Sequence, residues 1–350
     1  MSHPSSITAN AFTDTAQERI GAYVRRAKGG AGAVVALTPD ASTREYFRIP
    51  WRGGTAVAAV YPEPFDPEVH PFIDVTRLFE AAELPVPAIL DVDSKAGIIV
   101  QEDLGDRQLR RVFETVTEDE REAYVESAIS IIADIQAATT LAHERNSIAS
   151  RLAFDEAKLA WEMDYFVEHY FKSYRREHLS HGVEAELRAE LNDIAAELAA
   201  RPRVLCHRDF HTSNLIVDGK ERLRVIDHQD ARMGPASYDL VSLLLDRQTA
   251  TPPLAEIRQR RLYFIEERKS RGLEEVAADD FSREFRLMTV QRCLKACGTF
   301  SYQTGVSGRA AVYEHFIQPM ILIALQAAEW LDRFPALRRT LGARVRPGAA

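Results

Sequence analysis

The amino-acid sequence predicts an α+β chain of two lobes, a small antiparallel-sheet N-lobe followed by a larger, mostly helical C-lobe. Three observations lead there. Short β-rich runs crowd the first hundred residues, long amphipathic stretches fill most of the chain beyond Gly105, and one β-rich island, Val204 to Ile226, interrupts the helices. With 350 residues, 46% of them hydrophobic and 27% charged, the chain can bury one large core or two smaller ones.

In chain order, a helix over Asp14 to Ala27 precedes β-rich runs at Ala33 to Leu37, Glu45 to Ile49 and Thr55 to Tyr61. The turn residues Thr38-Pro39-Asp40 and Arg52-Gly53-Gly54 separate those runs. A helix near Val69 to Glu83 is stopped by Pro85 and Pro87, ahead of a strand pair around Ile89 to Val92 and Gly97 to Gln101. Beyond Gly105, Thr117 and Glu120 form a capping box that opens a helix with Tyr124, Ala128, Ile131, Ile132 and Ile135 at helical spacing. Further helices are predicted at Phe154 to Phe171, Val183 to Ala200, Leu254 to Ser270, Phe281 to Thr299 and Ala310 to Arg333. Trp161 and Tyr165, on one face of the Phe154 to Phe171 helix, read as core. The domain division is therefore an N-terminal lobe at 1–100, a hinge at 101–105 and a helical lobe at 106–350, with the cleft between lobes as the default ligand site.

Composition narrows the partners. A net charge of −8 and a pI near 5.8 supply no basic field for a phosphate backbone, so no nucleic acid is expected and a small molecule is. The first thirty residues hold no apolar core of a signal peptide, and no apolar run approaches the roughly 18 residues that cross a bilayer, so a cytoplasmic protein without a membrane partner is expected. Cys206, Cys293 and Cys297 are too few for a disulfide framework and read as reduced structural thiols. The oligomeric state leaves no mark on the sequence.

The residues that carry chemistry lie in the β-rich island. His207-Arg208-Asp209 is followed by Asn214, five positions after the aspartate, which is the spacing of a kinase catalytic loop. The runs Leu215-Ile216-Val217 and Leu223-Arg224-Val225-Ile226 flank the turn Asp218-Gly219-Lys220 and deliver Asp227, so that Asn214 and Asp227 start and finish one hairpin. Phosphoryl transfer needs reactants held in line and charge neutralised more than it needs covalent chemistry. Asn214 offers a carbonyl oxygen and Asp227 a carboxylate, both hard ligands suited to Mg2+. Asp209 is left to orient the acceptor hydroxyl and take its proton. His207 is assigned to loop structure, and His211, inside the loop, is a candidate for substrate contact.

These motifs resemble the aminoglycoside phosphotransferase-like superfamily, whose fold is protein-kinase-like. Asp230-Ala231, Gly234-Pro235 and Tyr238 to Leu244 look like the bacterial anomeric kinases of N-acetylmuramate and N-acetylglucosamine, as do Asp40 to Arg48, Glu102 to Gly105 and Arg292 to Phe300. The resemblance implies ATP and Mg2+ as cofactors and a small sugar as substrate. It implies Asp209 as catalytic base, Asn214 and Asp227 on the metal, the backbone of Gln101, Glu102, Asp103 and Leu104 against adenine, and Asp40, Ala41, Ser42 and Thr43 over the phosphates.

One departure is plain: the strand Thr55 to Tyr61 lacks the lysine that kinases hold against the nucleotide phosphates. Arg44 or Arg48, on the preceding strand, is expected to replace it, and the spacing leaves the choice open. Asp230, Arg292 and Lys295 are expected on the sugar. Two other functions remain. One is a kinase for a different alcohol, of aminoglycoside, choline or homoserine type; the other is a nucleotide-binding pseudokinase, for which the missing lysine is the best argument.

Overall fold

The computed structural model describes residues 14–27, 32–37 and 44–345. The chain divides into two compact units, one running to Gln108 and including Ile216–Gln229, the other comprising Leu109–Leu215 and the chain from Asp230 onward.

The first unit is built on a five-stranded antiparallel sheet of order β1-β2-β3-β5-β4, with β1 at Val35–Ala36, β2 at Glu45–Trp51, β3 at Gly54–Val60, β4 at Ile89–Asp93 and β5 at Ile98–Glu102. Trp51 pairs with Gly54 across a two-residue turn in which Arg52 has φ 44° and Gly53 φ 86°. Both turn residues are left-handed, as a tight hairpin between right-twisted strands requires, and glycine takes the more extreme angle. Alternation then sorts β5. Ile98 and Val100 join Phe47, Ile49, Ala56 and Ala58 in a core with Ile20 and Tyr23 of the helix Ala16–Arg26, whereas Ile99 packs against Phe72 and Ile73 of the helix Pro71–Ala81. The Ala16–Arg26 helix starts at a Thr15–Glu18 capping box.

The hairpin Leu215–Val217 and Leu223–Val225 returns the chain to the first unit. Val217 N–H donates to Arg107 O at 2.8 Å, Val225 N–H to Pro85 O at 2.8 Å, and Arg224 reaches Val86 O and the Glu102 carboxylate, both at 2.7 Å. A single break at 101–105 misses this return of the chain, because such docking is invisible in local pattern.

The second unit is helical around the 28-residue helix Ala278–Gly305, which packs along Ala310–Trp330. The predicted Phe154 to Phe171 helix is an α-helix over Glu156–Phe166 that continues in π-helical turns over Val167–Tyr174. The wider turns re-phase the surface so that Val167, Tyr170 and Phe171 are all buried. A strand absent from the sequence reading, Arg232–Pro235, pairs antiparallel with Arg203–Cys206. Cys206, Cys293 and Cys297 are free and buried. Among the described residues, no helix is long and apolar enough to cross a membrane.

Candidate active site

Strand Arg203–Cys206 ends at His207, and the loop that follows is tied at both ends. The buried Asp239 carboxylate, at the start of the helix Tyr238–Leu245, accepts His207 N–H at 2.6 Å and Arg208 N–H at 2.9 Å. Arg208 holds φ 90°, a strained value for a residue with a side chain, so those two bonds maintain a conformation the backbone would not choose. Downstream, the Asp209 carbonyl accepts His211 N–H at 3.0 Å and Asn214 Nδ2 at 2.9 Å, and Asn214 N–H donates to His211 O at 2.8 Å. Phe210 is fully buried and meets His207 edge-on, anchoring the loop to the core.

The Asp209 side chain is 25% exposed, with Lys295 Nζ at 3.4 Å, Arg208 Nη1 at 3.6 Å and Arg292 Nη1 at 3.7 Å. Burial alone would raise its pKa, but the Lys295 ammonium, then Arg208 and Arg292, outweigh it and hold the carboxyl well below the usual range. Asp209 is an ionised acceptor at any pH near neutrality.

The other expected substrate contacts divide. Lys295 reaches Asp209, as above. Asp230 pairs with Arg208 Nη1 at 2.7 Å and with Arg232 Nη2 at 3.6 Å, and half of its side chain is exposed. Arg292, by contrast, is 2% exposed and donates to Arg208 O, Tyr238 Oη, Ser242 Oγ and Asp246 Oδ2 at 2.8–3.2 Å. It braces the loop from beneath rather than presenting donors to a ligand. His211 is buried, and burial first, with nearby Arg247 and Arg292, lowers its pKa to about 4, so its imidazole is neutral.

In the first unit, Asp227 follows the strand Leu223–Val225 with φ 65° and a 42% exposed side chain. Gln229 Nε2 donates to its Oδ1 at 2.7 Å and Arg44 Nη2 lies 3.8 Å away. Arg44 is 14% exposed, donates to Tyr61 Oη at 3.4 Å and faces the rings of Tyr46 and Tyr61 at 5.7 Å each. Arg48 points elsewhere: its guanidinium is bonded to Asp103 and Asp106 at 2.7–3.0 Å. Asp103 also accepts Thr55 Oγ1 and Gly105 N–H, and Glu102 holds Arg224, so both acids serve the fold through their side chains. Gln101 Oε1 is buried without a hydrogen-bond partner among the described residues. Asp40, Ala41, Ser42 and Thr43 lie outside the described residues.

The sequence signature of the phosphotransferase enzyme family, APH, matches residues 33–276. The chain belongs to that family. Two curated relatives of this phosphotransferase are both named N-acetylmuramate/N-acetylglucosamine kinase. The one from Neisseria meningitidis serogroup B is 28% identical over 308 residues, covering 87% of this chain and 89% of the relative. The one from Pseudomonas aeruginosa is 30% identical over 274 residues, covering 77% and 76%. Among solved structures, a choline/ethanolamine kinase family protein from Mesorhizobium loti superposes with a TM-score of 0.56 at 18% identity, covering 93% of this chain and 97% of that one. The fold is the two-lobed protein-kinase-like one, with a sheet-based N-lobe and a helical C-lobe.

Among the described residues of this phosphotransferase, no group of three His, Cys, Asp or Glu side chains is placed to hold a metal. Magnesium takes one or two protein oxygens and fills its other positions with water and phosphate oxygens. Asn214, whose Nδ2 donates to Asp209 O, and Asp227 each carry an oxygen donor of the kind that ion takes.

One neighbour was misassigned from sequence. Trp161 is 54% exposed rather than core, and Lys158 Nζ lies 4.0 Å from its ring centroid. Tyr165, its expected core companion, packs against His169 at 4.2 Å and is half-buried. The i, i+3 spacing of Lys158 and Trp161 is the available signal, and periodicity alone does not say which side of the helix faces solvent.

Proposed function

We propose that this phosphotransferase moves the terminal phosphoryl group of ATP to the anomeric C1 hydroxyl of an amino sugar such as N-acetylmuramate or N-acetylglucosamine, or of a related hexose, as in cell-wall sugar recycling. The observation that carries the reading is the cationic ring around Asp209. Lys295, Arg208 and Arg292 keep this carboxylate ionised, and they would repel the cationic acceptors that an aminoglycoside or choline kinase takes. The names of the relatives point the same way.

A carboxyl with so low a pKa is a weak base, so its main contribution is to accept the hydrogen bond of the acceptor hydroxyl and aim it. A hemiacetal hydroxyl gives up its proton more readily than an ordinary sugar alcohol, because the ring oxygen withdraws electron density. A weak, well-oriented base therefore suits C1. Arg44, half sandwiched by Tyr46 and Tyr61 beside Asp227, takes the part of the missing lysine against the nucleotide phosphates. The backbone of 101–104 receives adenine. Asn214 and Asp227 are the residues that would hold Mg2+, which when bound offsets the phosphate charge.

The test is a panel of sugars with ATP and Mg2+, with the phosphorylated position read by phosphorus NMR. A 1-phosphate with loss of the reducing end is the expected result. A phosphate on any other hydroxyl, or ATP turnover indifferent to added sugar, overturns the proposal.

A further inference from the structure

The face of the second unit that carries Asp209 holds more cationic side chains than the chemistry of a phosphoryl acceptor requires. Arg208 and Arg232 both bind Asp230, Lys295 approaches Asp209, and Lys158 projects from the helix Glu156–Phe166. Its ion-pair partner is Glu162, whose Oε1 stands 3.9 Å away and whose Oε2 accepts from Gln291 Nε2 at 2.7 Å. The ammonium also rests over the indole of Trp161. Burial lowers the Lys158 pKa; Glu162 opposes this, while the charges of Arg208, Arg232 and Lys295 add to it. An arriving anion would relieve that repulsion.

Three polar atoms nearby are buried and have no hydrogen-bond partner among the described residues: Glu162 Oε1, Gln291 Oε1 and Arg208 Nε. Glu162 is 1% exposed and Gln291 fully buried, so the bond between them ties the ion-pair partner of Lys158 to the helix Ala278–Gly305. The helices that carry these groups are locked together at Gly298, where an added Cβ would come 2.8 Å from Phe166 Cα.

We propose that Lys158 and Trp161 form the acceptor subsite: the indole is the apolar platform for the pyranose, and the ammonium selects an acceptor that bears a carboxylate. This deepens the sugar-kinase reading above and rests on it. N-acetylmuramate is N-acetylglucosamine with a lactyl ether, which adds one carboxylate, so Lys158 is the residue that favours the acidic sugar over its neutral parent. Trp161 serves both.

The experiment measures kcat and KM for the two sugars with the full chain and with Lys158→Met, Lys158→Arg and Trp161→Ala, each checked for folding by thermal unfolding. Lys158→Met keeps the stem over the indole and removes only the charge. It is expected to lower the ratio of kcat/KM for N-acetylmuramate over N-acetylglucosamine about tenfold, chiefly through KM, and Lys158→Arg to restore most of it. Trp161→Ala is expected to raise KM for both sugars by about tenfold with the ratio retained. An unchanged ratio in folded Lys158→Met, or an unchanged KM in Trp161→Ala, overturns the subsite while leaving the kinase reading intact. A parent chain that phosphorylates neither sugar removes both.

Discussion

Asp239 accepts the backbone N–H of Arg208 at 2.9 Å, at a residue whose φ is 90°. A fully buried carboxylate thereby fixes the main chain one residue before Asp209, and its second oxygen takes His207 N–H. Asp239→Asn keeps the size and one acceptor but turns an NH2 group toward a backbone donor. A buried donor left without its partner costs about 1–3 kcal/mol. The variant is expected to lose about that much in a denaturant titration, and to lose kcat more than KM because the loop that aims Asp209 relaxes. Unchanged stability and kcat together would show that the strained turn is held by something else.

The cations around Asp209 make a pH prediction. A carboxyl whose folded pKa lies below its unfolded value, about 3.9 for Asp, contributes stability that is present above that value and lost as pH falls through the folded one. The acid limb of kcat/KM should therefore lie below the ordinary carboxylate range in the parent enzyme. Lys295→Met removes the largest attractive contribution, so Asp209 should protonate at a higher pH. A shift of the acid limb upward by on the order of one pH unit is expected from pH–rate profiles. A profile that stays in place would detach Lys295 from the ionisation of Asp209.

Arg44 immediately precedes the strand Glu45–Trp51 that carries Arg48, and the two have opposite expected phenotypes. Arg44→Ala should raise the KM for ATP between about tenfold and a hundredfold, the worth of a charge-assisted hydrogen bond to phosphate. Arg48→Ala leaves Asp103, whose side chain is 8% exposed, without its bidentate partner. It should lower the unfolding temperature while leaving the KM for ATP within about twofold, since its guanidinium serves carboxylates of the fold. Nucleotide kinetics and thermal scans on both variants separate them, and the reverse assignment would move the lysine's role to Arg48.

The parts of the fold that were legible in sequence are those set by local rules. The Leu254–Ser270 helix has the predicted bounds, and the turn at Arg52-Gly53 sits where the glycines put it. What escaped depends on contacts distant in sequence. Arg232–Pro235 contains a glycine and a proline that argue against a strand, and only the structure shows Gly234 admitting Phe154, whose ring would lie 2.5 Å from an added Cβ. The helix Tyr238–Leu245 is buried on every side and so has no amphipathic period to read. At the site, the residues of the loop announce themselves by spacing. Whether Arg48 meets phosphate or Asp103, and whether Trp161 faces core or solvent, is decided by neighbours no single strand or helix contains.

Gly298 sets two opposed effects against each other. In an exposed helix, Gly→Ala stabilises by about 1 kcal/mol, because glycine forfeits more backbone entropy. Here the added methyl would come 2.8 Å from Phe166 Cα and 3.1 Å from Phe166 N, backbone atoms that cannot swing aside. Forcing the Glu156–Phe166 helix away from Ala278–Gly305 costs about 1–3 kcal/mol by overpacking, so the net sign should be destabilising. The same displacement would carry Lys158 and Trp161 away from Lys295. Gly298→Ala is therefore expected to lower the unfolding temperature and to raise the KM for sugar more than the KM for ATP. A variant more stable than its parent would show that the two helices can part at no cost, and that their close approach does not hold the acceptor side in register.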